Sequence, residues 1–512
     1  MASSFPIQAP PILSLLLALT LGGTAGCRAQ GVPPSPAPLH LPVAAPPAVS
    51  AAHPDLWVAL ASQLKGPDQL ILRSASGRLR LRDASGFRVD GAELRILWQR
   101  QALASPLRLE RLVLGPFASF ESAEAAADAW KAAGAQPVVA RPHDWEVWAV
   151  PGSPAPPGAP ARRVERIETH AWVPSLIQGS RHPVLRGPIL IEAPGGLRWD
   201  KGVYQGPFRL QADAHGSWTL VEQVPLERYL LGVVPHEIGA GSPAAALAAQ
   251  AVLARTWAVR NQHRFVVDGY HLCADTQCQV YGDPRLAGGS VSRAVATTAG
   301  QVLAWQGRPI HAVYHASSGG VTAAFEEGWA GVPLPYLQAS LDGVSPRQAA
   351  LTLPLEEQEV VQLLRGGNGA YGADHPRFRW ERRLDAATLT AAARSLDPGF
   401  GWASRVTVLE RGPSGRVLAL QISGAPEAGR VVLRRDAIRR RLRQLPSTLF
   451  VVRPDGPGRW RFEGGGFGHG AGLSQAGAID LAGRGWGLKR ILDFYYPGTQ
   501  LLPLSALSGG GP

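Results

Sequence analysis

Residues 224–264 read VPLERYLLGVVPHEIGAGSPAAALAAQAVLARTWAVRNQHR, and this stretch decides the fold. Pro225 suits a helix start, because its missing N–H is one that a first helical turn leaves unpaired. Leu226, Tyr229, Leu230 and Val233 then recur at helical spacing on one face. Pro235 should end that helix, since it has no N–H to give and crowds the preceding turn. Ser242-Pro243 next pairs a preferred N-cap with proline at the first helical position. An alanine-rich helix follows and runs to the neighbourhood of Gln262. His236 and Glu237 are thereby left on a turn between two helices, where a rigid scaffold can hold a catalytic carboxylate. Taken by itself, Glu237 also fits a surface charge at a helix end.

Outward from this stretch, the chain has 512 residues, too many for one compact core, so several domains are expected. Lys and Arg number 51 against 39 Asp and Glu, a net charge of +12 that is almost all arginine. Such a balance attracts polyanions, although an arginine-rich compositional habit accounts for it as well. None of the usual nucleic-acid motifs is visible, so nucleic acid is not expected as a partner. Residues 11–21 (PILSLLLALTL) form an apolar run too short to span a bilayer. Small residues follow it up to Cys27, as in a secretory signal and its cleavage site. Residues 24–27 (TAGC) resemble a lipobox, which would make Cys27 a lipid anchor. The expectation is therefore a signal peptide over 1–27 and export to the periplasm or cell envelope. The membrane would be reached only through Cys27. No later segment is long and apolar enough for a membrane-spanning helix.

Residues 28–54 are rich in Pro and Ala and read as an extended tether. Residues 55–105 alternate apolar and polar, the pattern of short antiparallel strands. Residues 109–150 predict a strand ending at Gly115-Pro116, a helix capped by Ser119 or Ser122 and stopped by Gly134, then two strands. The run from Val113 to Gly134 resembles a SPOR domain, which implies binding of peptide-stripped glycan. Residues 151–161 form a second linker, and 162–222 are again strand-like. Gln301 to Gly320 predict a hairpin turning at Gln306-Gly307, and 464–477 form a glycine-dense loop leading into a helix.

The pair Cys273 and Cys278 calls for a disulfide or, with His271, a zinc site in an exported protein. The spacing does not match a Cys-x2-Cys ribbon, and the disulfide is preferred. Several ordered motifs together resemble the stage II sporulation protein D family, also called the amidase-enhancer family. They are LERYLLGVVPHEI, LAAQAVLARTWA, CQVYGD, AVYHASSGG, GFGHGAGLSQAGA and ILDFYYPGT. The resemblance covers 215–345 and 446–503. It implies a peptidoglycan lytic transglycosylase with Glu237 as acid and base, acting on peptide-free glycan strands without a required cofactor. It also implies an important role for Arg255, placed here near Glu237. Zinc near the cysteines is known in some members. Ala248 stands where the family often has lysine, which leaves open the alternative of a non-catalytic glycan-binding activator of an N-acetylmuramoyl-L-alanine amidase. His315, Ser317, Ser318, His469, Ser474 and Gln475 lie on small-residue loops and are candidates for hydrogen bonds to sugar. The resulting expectation is a multidomain α+β protein. Its catalytic domain is a mixed helix/sheet unit, 162–345 with 446–505, interrupted by a smaller α+β insert at 346–445. A β-rich segment carrying the β-α-β unit, 55–150, precedes it.

Overall fold

Alternating apolar and polar residues put one face of a strand on a core and the other in water, and 55–91 folds in that way. In the computed structural model, residues 37–507 are described, apart from 157, 159, 345–349, 367–368 and 425–428. Strands Asp55–Leu64, Leu70–Ser74 and Leu79–Arg82 bury Leu56, Val58, Leu70, Leu72, Leu79 and Leu81. The signal segment, Cys27 and residues 28–36 lie outside the described residues.

Strand Glu93–Phe117 is 25 residues long, where short strands were expected. It pairs antiparallel with Arg162–Leu176, from Ile96↔Leu176 to Val113↔Arg162. Residues 99–108 of this ribbon are mostly exposed, so there the two strands satisfy each other's backbone rather than cover a core. Two seven-stranded sheets result. One runs Leu272–Cys273, Asp55–Leu64, Trp218–Pro225, Phe208–Ala212, Ile189–Glu192, Leu79–Arg82, Arg88–Gly91. The other joins Leu70–Ser74 and Glu93–Phe117 to Leu197–Trp199 and Trp145–Ala149. Both sheets thus take strands from either side of 151–161. Pairing such as Asp55↔Pro225 leaves no local pattern for periodicity to read.

The tether differs too. Its described part, 37–54, has no helix or strand but lies along the fold: Val49 is buried and its N–H donates to Gln262. The unit 109–150 has the expected elements. Ser119 caps helix α1, Phe120–Ala132, and strands Val138–Ala140 and Trp145–Ala149 follow. It is built into the body, since Phe120 and Trp130 share a core with Phe265 and Tyr270. Glu121 and Glu124 form ion pairs with Arg264 and His263.

Strand pairing crosses the expected boundary at 445. Strand Arg379–Asp385 pairs with Arg459–Gly465 along its whole length, and that strand pairs with Phe450–Pro454. Trp380, Leu389, Leu420, Phe450 and Phe462 share one core; without the two late strands its apolar residues would face water. The turn at Gln306 and Gly307 is as expected, with φ of 53° and 75°. Both residues are left-handed, the geometry of a two-residue hairpin turn. Among the described residues no helix is long and apolar enough to cross a membrane.

Candidate active site

Helix α2, Leu226–Val234, buries Leu226, Tyr229, Leu230 and Val233, the predicted face. Pro235 does not end it. The chain continues into one π-helical turn, Pro235–Gly239, with Glu237 at its centre; such widened turns recur at functional sites. Proline fits here because it opens the wide turn, where its missing N–H is not needed. Ser242 does not cap helix α3, Ala244–Arg260, whose N-cap is Pro243. Its hydroxyl instead donates to the Ile238 carbonyl at 2.7 Å and ties down the end of the wide turn.

Glu237 is half-buried. Its Oε1 accepts the Val280 N–H at 3.0 Å, and its carboxyl is also hydrogen-bonded by the Tyr314 side chain. A relay orients that tyrosine. The Tyr229 hydroxyl donates to Gln279 Oε1 at 3.2 Å, and Gln279 Nε2 donates to the Tyr314 hydroxyl at 2.8 Å. The Tyr314 proton is then free to point at Glu237. Burial pushes the Glu237 carboxyl above its ordinary range, against the lowering effect of the bonds from Val280 and Tyr314. Glu237 opens on a cavity of about 250 Å³ that Trp329 and His469 also line. The other two carboxyls there, Glu121 and Asp436, are paired with Arg264 and Arg440. Burial raises the Asp436 carboxyl as well, but it has Arg440 at 3.5 Å, whereas Glu237 has no ion pair among the described residues and is raised without a counter-charge.

Glycines bring the Val280 loop close enough. The Gly282 N–H donates to the Gly232 carbonyl at 2.9 Å. A Cβ on Gly232 would stand 2.5 Å from the Gly282 oxygen. Cys273 and Cys278 form a disulfide, with Cα atoms 5.7 Å apart, just before Gln279 and Val280. The zinc alternative does not fit, because both sulfurs are used in that bond. The two nitrogens of His271 meet the Trp57 N–H and the Pro47 carbonyl, each at 2.9 Å. No group of three or more metal-ligating side chains is found among the described residues.

Arg255 is not at the site. It is fully buried and grips Glu227 with two bonds, 2.8 and 2.6 Å, while its Nη1 donates to the Gln301 carbonyl. It is a clamp between α2, α3 and strand Gln301–Trp305. Ala248 is buried in α3. Of the sugar-binding candidates, His469 alone lines the cavity. Its ring packs on Trp329 at 4.7 Å and edge-on to His315 at 5.5 Å. Burial holds both histidines well below their ordinary range, hence neutral. His469 Nδ1 accepts the Ala471 N–H, which leaves its proton on Nε2. Ser317, Ser318, Ser474 and Gln475 are interior. Ser318 donates to Asp342, Ser474 caps the helix Gln475–Gly483, and Gln475 bonds Gln250. Interior hydrogen bonding absorbs the last three, while the Ser317 hydroxyl is buried without a partner among the described residues; small-residue composition alone does not separate such loops from open ones. Tyr314, Gln279 and the Val280 N–H were missed as site groups, although AVYH and CQVY carry them.

Residues 214–305 match the family described as stage II sporulation protein, and 323–472 match a domain of unknown function, DUF8618. The chain is similar to the amidase enhancer of Bacillus subtilis, 30% identical over 53% of this chain and 40% of the relative. It is similar to the stage II sporulation protein D of the same organism, 29% identical over 55% of this chain and 75% of the relative. An uncharacterised protein of Brachyspira hyodysenteriae is 28% identical over 62% of this chain and 77% of its own. The chain thus spans less than half of the amidase enhancer and about three quarters of the other two.

Proposed function

We propose that this chain, a member of the stage II sporulation protein D and amidase-enhancer family, is an exported cell-wall protein that cleaves peptidoglycan glycan strands as a lytic transglycosylase. The observation that carries the reading is one carboxyl, Glu237, raised by burial, bonded by Val280 and Tyr314, and without an ion-pair partner among the described residues. A hydrolysing glycosidase needs two working carboxyls; here Glu121 is paired with Arg264 and Asp436 faces Arg440 at 3.5 Å, so Glu237 is the carboxyl in the cavity without an ion pair among the described residues. A lytic transglycosylase needs one. Protonated Glu237 gives its proton to the glycosidic oxygen as the bond to muramic C1 breaks. The C6 hydroxyl of the same sugar closes onto C1, so geometry replaces an external nucleophile. The carboxylate then takes the C6 proton and is ready again. Tyr314 and the Val280 N–H hold it in place between the two transfers.

The reading as an amidase activator rests on a separate observation, the similarity to an amidase enhancer together with Ala248. One experiment separates the two. Wild type and Glu237→Gln are each given peptide-free glycan, and each is added to an N-acetylmuramoyl-L-alanine amidase on intact wall. Cleavage that needs Glu237 supports the enzyme. Stimulation of the amidase by both proteins, with no glycan cleavage, supports the activator. Attachment through Cys27 is part of the same proposal, and a lipid label on the exported chain tests it.

A further inference from the structure

A second cavity of about 900 Å³ adjoins the first, and Thr276, Gln277, Arg439 and Arg440 line both. Seven arginines line it and one carboxylate, Asp144. Four of the seven, Arg439, Arg440, Arg441 and Arg443, come from helix Asp436–Arg441 of the insert and the turn after it. Among the described residues only Arg440 of the seven has a carboxylate within ion-pair distance, Asp436 at 3.5 Å. Guanidinium groups gathered this closely repel one another unless an anion joins them, and their planar forks suit carboxylates. Burial and the neighbouring Arg440 hold the Arg439 guanidinium below its ordinary range.

We propose that this groove is the docking path of a carboxylate-bearing glycan strand, and that Arg441 and Arg443 select strands whose muramic lactyl groups are free acids. The proposal rests on the glycan reading above and assigns a role to the segment matched as a domain of unknown function. Hydrolysis of a muramyl peptide amide leaves a lactyl carboxylate, so a stripped strand is a regular polyanion and an unstripped one is not. A single-stranded nucleic acid fits less well. It needs open aromatic faces to stack bases, whereas Trp145 is 1% exposed and Arg377 covers Phe467 at 4.0 Å.

The test uses the full chain carrying Glu237→Gln, so that strands are not consumed. Its affinity is measured for peptide-free glycan, for the same glycan with its carboxylates converted to methyl amides, and for an oligodeoxynucleotide of similar length. Arg441→Gln with Arg443→Gln should weaken binding of the native glycan about tenfold or more, as expected for lost bonds to charged groups. The amidated glycan should bind the parent chain as weakly as native glycan binds the double variant, with no mutation in the groove involved. Equal affinity for native and amidated glycan overturns the proposal, as does tighter binding of the oligonucleotide. Cleavage products of the chain with Glu237 intact report separately on the transglycosylase reading. Binding that follows the carboxylates without any anhydro product would leave the groove standing and remove that reading alone.

Discussion

Glu227 and Glu237 bracket α2, lie in one motif, and meet opposite surroundings. At the first end the carboxylate is gripped by fully buried Arg255 and by the Gly300 N–H at 3.0 Å. At the second, one amide and one tyrosine bond the carboxyl, no cation answers it, and a cavity opens beside it. The first arrangement holds a negative charge and stiffens the fold. The second favours a proton and leaves room for a ligand. Motif position does not tell the two roles apart; the partners brought in from Arg255, Val280 and Tyr314 do.

The same substitution at each end should therefore fail differently. Glu237→Gln should cost about a hundred- to ten-thousandfold in glycan cleavage without lowering the melting temperature. Its sign with pH is fixed by the raised carboxyl. A group whose folded pKa lies above its unfolded one stabilises fully below the unfolded value and loses that contribution as pH rises through the folded one. Glu237→Gln should thus be at least as stable as wild type near neutrality, with the difference vanishing in acid; melts across pH read this. For the same reason wild-type cleavage should decline on the alkaline side as Glu237 loses its proton. Glu227→Gln should leave Arg255 buried without a counter-charge and cost about 3 kcal/mol of stability, measured by denaturant unfolding. Activity per folded molecule should hardly change. Full activity loss with an unchanged melt at Glu227 would erase the distinction.

Smaller changes sharpen the second end. Replacing Cys273 and Cys278 by alanine releases the loop that carries Gln279 and Val280. A closed loop this short predicts about 2 kcal/mol of lost stability, accompanied by a several-fold drop in cleavage. Tyr314→Phe removes one hydrogen bond worth about 1 kcal/mol, so a roughly tenfold or smaller loss in rate is expected. Because that bond lowers the Glu237 pKa, the alkaline limb of the rate profile should move to higher pH. An unshifted limb would mean that Tyr314 does not touch the titrating group.

Local signals made much of this legible. The apolar face of α2, the cap at Ser119, the Gln306-Gly307 turn and the coupling of Cys273 to Cys278 each depend on neighbours a few residues away. What stayed hidden depends on partners far along the chain. Nothing near Arg255 announces Glu227 as its partner rather than Glu237, and nothing near Asp55 announces Pro225. Nor does anything near Gly465 announce its pairing with Arg379, 86 residues earlier. The arginine groove could be foreseen only as net charge, because its walls come from 117–145, 276–277 and 377–467.

The central claim is that Glu237 works alone and that the sugar's own hydroxyl is the nucleophile. Digestion of peptide-free glycan in water enriched in oxygen-18, followed by mass spectrometry of the products, tests it most directly. The account predicts products ending in 1,6-anhydromuramic acid, with no heavy oxygen at the new ends, and none formed by Glu237→Gln. Reducing ends carrying one oxygen-18 would show that water attacks C1 and would contradict it.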